Sequence, residues 1–187
     1  MNPSTLLPEH RCVALGRRAL QHLRAVLERD TGFQTATYLQ EAGFAGGEEL
    51  YGAFAAWLRA TAGLEHPGEM DVARMAETLS AFFGDLGWGT LTTASLGEAV
   101  LAIDTTDWSE ATSDGATDYP ACHFSTGLLA DFLSRLSGES VGVMEVECRS
   151  RGDHRCRFLA GAPETLHILY DRMTRGASYQ QALGTTS

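Results

Sequence analysis

Cys122, Cys148 and Cys156 are the soft ligands of this chain, and two carboxylates, Glu145 and Glu147, stand within three residues of Cys148. Thiolate, imidazole and carboxylate are the groups that close a structural zinc site. The fourth cysteine, Cys12, lies far away in a helical pattern. Thiols persist in a reducing compartment, where clustered soft ligands point to a metal before they point to disulfides. The sequence has no Cys-x-x-Cys pair, which weakens a redox role. The competing reading is that the cysteines are small buried hydrophobes.

The spacing sets a geometric condition. Side chains three apart in a regular strand point to opposite faces, so Glu145 and Cys148 share a metal only if the strand is irregular between them. A bulge near Val146 favours Glu145; Glu147 is the alternative carboxylate. A turn at Gly152-Asp153 folds Cys156 back towards Cys148, and strands roughly 4.8 Å apart let two thiolates reach one ion. His123 and His154 are neighbouring imidazoles that could substitute. Four protein ligands would leave no open position for an activated water, which argues against catalytic zinc.

The elements that position these groups follow from periodicity. Residues 1–10 carry Pro3 and Pro8 and read as a flexible lead-in. Helical spacing is expected over residues 11–29, 35–42 (stopped by Gly43), 48–62 and 71–86. The pattern then turns β-rich, with a hairpin over residues 90–95 and 98–105. Residues 106–119 read as a polar loop interrupted by Trp108. Pro120 suits the first turn of a helix, which would place Cys122 in that turn and run to Ser137-Gly138. Strands over residues 141–148 and 154–161 form a second hairpin, Pro163 starts a helix ending near Arg175, and residues 178–183 offer one more turn. The order predicts an α+β fold: an antiparallel sheet of about four strands flanked by helices, with an N-terminal helical segment. One domain is expected over residues 11–176, divided into a helical part (11–86) and a zinc-containing core (87–162), followed by a loose tail (177–187).

Composition excludes several classes. A formal net charge of −10 opposes nucleic acid and anionic membrane surfaces. Arg149, Arg151, Arg155 and Arg157 form the nearest basic cluster, read as a solvated hairpin. All 14 basic residues are arginine, which rules out lysine Schiff bases, pyridoxal phosphate chemistry and a P-loop lysine. Hydrophobic residues make up 44%, enough for a sizeable core, but no run spans a bilayer and the first residues show no signal pattern. A cytoplasmic location is the expectation.

Three stretches then carry a family resemblance: Cys122-His123-Phe124-Ser125-Thr126-Gly127-Leu128-Leu129-Ala130, Met144-Glu145-Val146-Glu147-Cys148 and Gly152-Asp153-His154-Arg155-Cys156-Arg157-Phe158. Together they resemble the 4-vinyl reductase domain family over residues 85–162. Glu41-Ala42-Gly43-Phe44 and Gly47-Glu48 extend the likeness more weakly. The resemblance implies a dimerising α+β domain, similar in fold to the ligand-binding domains of bacterial aromatic-hydrocarbon sensors and to vesicle-tethering subunits. In the phenol-type sensors three cysteines and one glutamate hold zinc; Cys122, Glu145, Cys148 and Cys156 occupy the matching places. The histidine and tryptophan that hold a phenolic hydroxyl there have no placed counterpart here, though Trp108 lies near the region. No motor domain is expected to follow, so a signal would pass through a protein partner or the dimer interface.

The functional expectation is a stand-alone sensor or carrier domain with structural zinc and an apolar pocket for an aromatic, acyl or tetrapyrrole ligand. Phe83, Trp88, Trp108, Phe124 and Phe132 are the candidate lining; large aromatics also dominate ordinary cores. One alternative is an accessory protein or enzyme subunit in tetrapyrrole metabolism. Against catalysis, Gly43-x-x-Gly46-Gly47 lacks dinucleotide spacing, and the Gly-x-Ser-x-Gly string at Gly138 runs from helix to strand, the reverse of a nucleophile elbow. Asp104 and Asp107 read as turn residues. Another alternative is a ligand-free dimeric scaffold.

Overall fold

Glycine closes the longer helices of the N-terminal half. In this computed structural model, which describes residues 11–112 and 117–184, α1 (Arg17–Thr31) ends at Gly32, and α2 (Gln34–Ala45) ends at Gly46. α3 (Gly47–Ala62) ends at Gly63, whose left-handed backbone (φ 69°) aims its N–H at the Arg59 carbonyl. Two short 3-10 turns, Pro67–Glu69 and Val72–Arg74, lead into α4 (Met75–Asp85). The Asp71 side chain accepts from the Ala73 N–H at the second turn.

The C-terminal half holds β1 (Thr92–Leu96), β2 (Val100–Thr105), α5 (His123–Ser137), β3 (Gly142–Glu147), β4 (Cys156–Gly161), α6 (Pro163–Thr174) and α7 (Tyr179–Ala182). The strands form one antiparallel sheet in the order β1-β2-β4-β3. Both expected hairpins therefore form, and they join through β2 and β4, with Val100 opposite Gly161 and Thr105 opposite Cys156. The fold class is α+β, as the element order required.

Strand alternation sends successive side chains to two separate cores. Ile103, Phe158 and Ala160 join Phe54, Phe82, Phe83, Trp108 and Phe132 beneath the helices. Val100, Ala102, Val146 and Leu159 pack with Leu166, Leu169 and Tyr179 on the other face. The two central strands, β2 and β4, are thereby covered on both sides.

Several boundaries differ from the sequence reading. α1 starts at Arg17, not at residue 11, because the extended backbone of Gly16 (ψ 136°) occupies the cap position. α2 passes through Gly43 to Ala45; this glycine marks close packing on α5 rather than a stop. Pro120 stands outside α5, which begins at His123 with Cys122 at its cap, so Cys122 precedes the first turn. Residues 178–183 are no loose tail: Ser178 and Gln181 form a reciprocal capping box, and Tyr179 and Ala182 are buried. The expected lead-in and residues 185–187 lie outside the described residues.

Candidate metal centre

Three connections converge to make the site. Cys122 caps α5, Glu145 sits in β3, Cys148 follows that strand, and Cys156 opens β4. The β3–β4 register slips between Glu145 and Glu147. That bulge supplies the irregularity that the spacing demanded, turning Glu145 towards Cys148. The chain reverses through the 3-10 turn Arg149–Arg151 and Gly152, and the Asp153 carboxylate accepts from the Cys148 N–H (2.7 Å), fixing the turn that brings Cys156 back.

The four ligand atoms lie within 4.8 Å of one another, and all four residues are buried. Cys122 Sγ stands 3.8 Å from Cys148 Sγ and 3.9 Å from Cys156 Sγ. A tetrahedron built on zinc–sulfur bonds of roughly 2.3 Å has edges of about 3.8 Å, so these separations fit one ion. Glu145 Oε2 accepts from the Cys122 N–H (2.8 Å), while its buried Oε1 has no hydrogen-bond partner. An orphaned buried carboxylate oxygen is costly unless a cation takes it. The Ala121 N–H points at Cys148 Sγ and the Arg149 N–H at Cys156 Sγ, each at 3.5 Å, which suits sulfur carrying negative charge. The residues present therefore fit a thiolate-bound cation.

Electrostatics agree with that demand. Burial pushes the Cys122 thiol and the Glu145 carboxyl well above their ordinary ranges. The Cys122 and Cys156 thiols hydrogen-bond Cys148 and hold it far below the usual thiol range, so the cluster concentrates one thiolate there. A divalent cation would relieve the remaining cost by letting every ligand ionise. His123 is half-buried, with its pKa lowered by desolvation, and His154 is exposed; neither belongs to the four-residue group.

The five aromatic candidates fall into one connected layer. Phe83, Trp108 and Phe132 are fully buried, whereas Trp88 and Phe124 are partly buried at its margin. Trp88 stacks on Phe124 with planes 5° apart and centroids at 6.1 Å. Trp108 lies 5.4 Å from Trp88, 5.6 Å from Phe83 and 6.0 Å from Phe158. Phe83 meets Phe132 edge-on at 5.6 Å. A surface groove of about 640 Å³ lies elsewhere, between α4 and β1, lined by small residues such as Ser80, Gly84 and Thr92 and by none of the five rings.

Sequence reading missed the polar groups behind this layer. Glu110 is fully buried, accepting from the Phe124 N–H (3.0 Å), the Ser125 N–H (2.8 Å) and the Ser125 hydroxyl. It satisfies N–H groups that the start of α5 leaves open. The Trp108 indole N–H donates to the same Ser125 Oγ (2.6 Å). Arg24 of α1 is also buried, and reaches the Ala121 carbonyl (3.4 Å) and Ser150 Oγ (3.3 Å). These pairings cross 15 to 126 positions of sequence, so no local pattern announces them. The expected turn residues are anchors: Asp104 pairs with Arg157 through two short contacts, and Asp107 accepts from the Thr90 N–H. Arg151 and Arg155 are likewise paired, with Asp153 and Glu147.

With this geometry in place, the comparisons are consistent. Residues 105–162 match the vinyl-4-reductase domain family. Over 80 residues, 43% of the chain, the sequence is 32% identical to MJ0745, an uncharacterized protein of Methanocaldococcus jannaschii; the match spans 42% of that protein's length. The chain shares its fold with the phenol-responsive sensory domain of the transcription activator PoxR with phenol, at TM-score 0.61 and 21% identity, over 81% of this chain and 77% of that one. A vinyl-4-reductase family protein from Methanocaldococcus jannaschii superposes at TM-score 0.54 and 20% identity, covering 84% and 92%. Trafficking protein particle complex subunit 3 from Naegleria fowleri, covalently bound to palmitic acid, gives TM-score 0.60 and 15% identity, covering 78% and 91%.

Proposed function

We propose that this chain, whose residues 105–162 match the vinyl-4-reductase domain family, binds a small apolar molecule beside a structural zinc held by Cys122, Glu145, Cys148 and Cys156. The observation that supports it is a shared wall. α5 starts at the cysteine cluster, and from the same helix Phe124 and Phe132 face the aromatic layer. A closed metal cluster would fix the start of that helix, and with it one side of an apolar site. Zinc would supply folding energy and rigidity; no ligand position remains for hydrolytic chemistry.

The aromatic layer gives the ligand its chemistry. A planar or acyl molecule would enter by parting Trp88 from Phe124, replacing ring–ring contacts with ring–ligand contacts. Its polar neighbour would be the Trp108–Ser125–Glu110 chain, suited to a hydroxyl or carboxyl group. The phenol named with PoxR and the palmitic acid named with the trafficking subunit mark the two ligand classes to try first. Phe33, wholly exposed between α1 and α2, together with Leu23 supports self-association of this domain, which light scattering across a concentration series would measure.

Native mass spectrometry tests the reading. Protein prepared without added metal should carry one zinc per chain, and titration with phenols and long-chain fatty acids should add a stoichiometric organic mass. Cys156→Ser should lose the zinc, and Cys12→Ser should keep it. A chain that takes up no zinc, or no apolar molecule of either class, would overturn the corresponding half of the proposal.

A further inference from the structure

α1 is held differently from every other long helix. It buries only Leu20 and Arg24, and the rest of its hold is polar. Gln21 Nε2 donates to the Ala111 carbonyl (3.0 Å) and to the Ser109 carbonyl (3.4 Å), straddling Glu110. One turn on, Arg24 Nη1 donates to the Ala121 carbonyl and to Ser150 Oγ, which also accepts from the Thr112 N–H (2.9 Å). α1 thus lies as a strap over residues 109–112, the segment that follows Trp108.

The two groups that Arg24 grips belong to the cysteine cluster's own connections. Ala121 precedes Cys122 and gives its N–H to Cys148 Sγ; Ser150 lies in the 3-10 turn that follows Cys148. Arg24 is 4% exposed, yet its Nε has no hydrogen-bond partner. Its nearest carboxylate, Glu28, stands 3.6 Å away, and Glu28 Oε1 is itself buried without a hydrogen bond. A buried cation so loosely paired needs negative charge nearby. Three thiolates and a carboxylate around a divalent cation carry a net charge of −2; the same cluster with its thiols protonated carries far less. Glu110 and His123 are the other titratable groups facing Arg24.

We infer that α1 is a releasable strap whose docking is set by occupancy of the cysteine cluster, with Arg24 as the positioning residue that couples them. The inference rests on the metal reading above. The loaded cluster holds Ala121 and Ser150 in place and supplies the anionic field that compensates Arg24. Loss of the metal loosens both, α1 lifts, and residues 109–112 are uncovered beside Trp108. Because coupling is reciprocal, releasing α1 must also weaken the hold on the metal.

Hydrogen exchange read by mass spectrometry on the full chain tests this, with zinc content measured in parallel. In Arg24→Ala at saturating zinc, amides of α1 should exchange about tenfold faster while α2 and α5 keep their rates, a factor within the usual range of coupling between sites. Chelation of the unsubstituted protein should accelerate the same amides, and added zinc should reverse it. Zinc affinity of Arg24→Ala should fall by a similar factor. Should Arg24→Ala fold poorly, Gln21→Ala, which removes only the contacts to residues 109 and 111, should show the same acceleration to a smaller degree. Unchanged α1 exchange in a zinc-loaded variant, or accelerated exchange with undiminished zinc affinity, would overturn the coupling. Absence of zinc from the unsubstituted protein would instead refute the metal reading, and α1 exchange in Arg24→Ala would then report on the strap alone.

Discussion

Gly43 and Gly127 lie back to back where α2 crosses α5, each pressed on the other helix's backbone. A Cβ on Gly43 would overlap the Phe124 carbonyl oxygen and stand 2.9 Å from the Leu128 nitrogen; one on Gly127 would overlap the Gln40 carbonyl oxygen and stand 2.9 Å from the Phe44 nitrogen. The crossing therefore has no room for a methyl group on either side. It also sets where Phe124 lies, and so couples the N-terminal helical part to the start of the candidate metal centre.

Gly43→Ala and Gly127→Ala should each lower stability by about 2–3 kcal/mol, the cost of forcing packed backbones apart. Gly84, in the last turn of α4, has nothing within 4 Å of where a Cβ would go. Gly84→Ala should therefore raise stability by about 0.5–1 kcal/mol through the lost freedom of the unfolded chain. Urea denaturation of the three variants checks both signs at once. Similar effects at all three positions would show that backbone contact is not what these glycines serve.

How much of this is legible in the sequence depends on the range of the signal. The cysteine cluster is readable because hairpin geometry and ligand chemistry are local rules, and the bulge they require between Glu145 and Glu147 is present. The four-stranded sheet follows from two hairpins with buried faces. Gly43 suggests a stop because a glycine needed for close approach looks the same, in one sequence, as one needed for a turn. Pro120 suggests an earlier start for α5, but the chain there is bent to bring Cys122 over the hairpin. Glu110 and Arg24 give no signal at all: each is a charge in a polar-looking segment, and only the tertiary fold buries it.

The carboxylate choice can be tested directly. Glu145 Oε1 lies in the cluster without a hydrogen bond, whereas Glu147 is occupied by Arg155 (2.8 Å and 3.2 Å) and by the Tyr179 hydroxyl. Glu145→Gln should weaken zinc binding by roughly 100-fold or more, since even outer partners of a metal cost up to that much when removed. Glu147→Gln should leave zinc affinity within a few-fold. Competition against a chromophoric chelator measures both, and the opposite ranking would place the ligand on Glu147.

Tyr179 fastens the last helix to the sheet. Its hydroxyl lies 2.9 Å from Arg157 Nη1 and donates to Glu147, and the Arg157 guanidinium also stands over the ring at 5.8 Å. Tyr179→Phe keeps the ring and loses the hydrogen bonds, so stability should fall by about 1–2 kcal/mol, as for hydrogen bonds to charged groups. The loss should first show as faster hydrogen exchange in residues 178–183. A global loss with α7 still protected would show that the hydroxyl serves the sheet and not the helix.

Glu110 should give the fold a pH signature of its own. Burial raises its carboxyl from an ordinary 4.5 to about 7, against the lowering effect of the Ser125 hydroxyl and N–H, the Phe124 N–H and Arg24. The folded state therefore binds this proton more tightly than the unfolded chain does. Its contribution to stability is complete below about pH 4.5 and is lost as pH rises through about 7, a change of about 3 kcal/mol at 1.36 kcal/mol per pH unit. Glu110→Gln removes the titration while keeping an oxygen for the α5 N–H groups. The stability of the unsubstituted protein relative to Glu110→Gln should fall between about pH 4.5 and 7.5 and then level off. Urea titrations at several pH values give that difference, in which groups common to both proteins cancel. A flat difference, or one that rises with pH, would mean that the α5 N–H groups and Arg24 hold Glu110 ionised throughout, and that the buried chain from Trp108 through Ser125 ends in a carboxylate rather than a carboxylic acid.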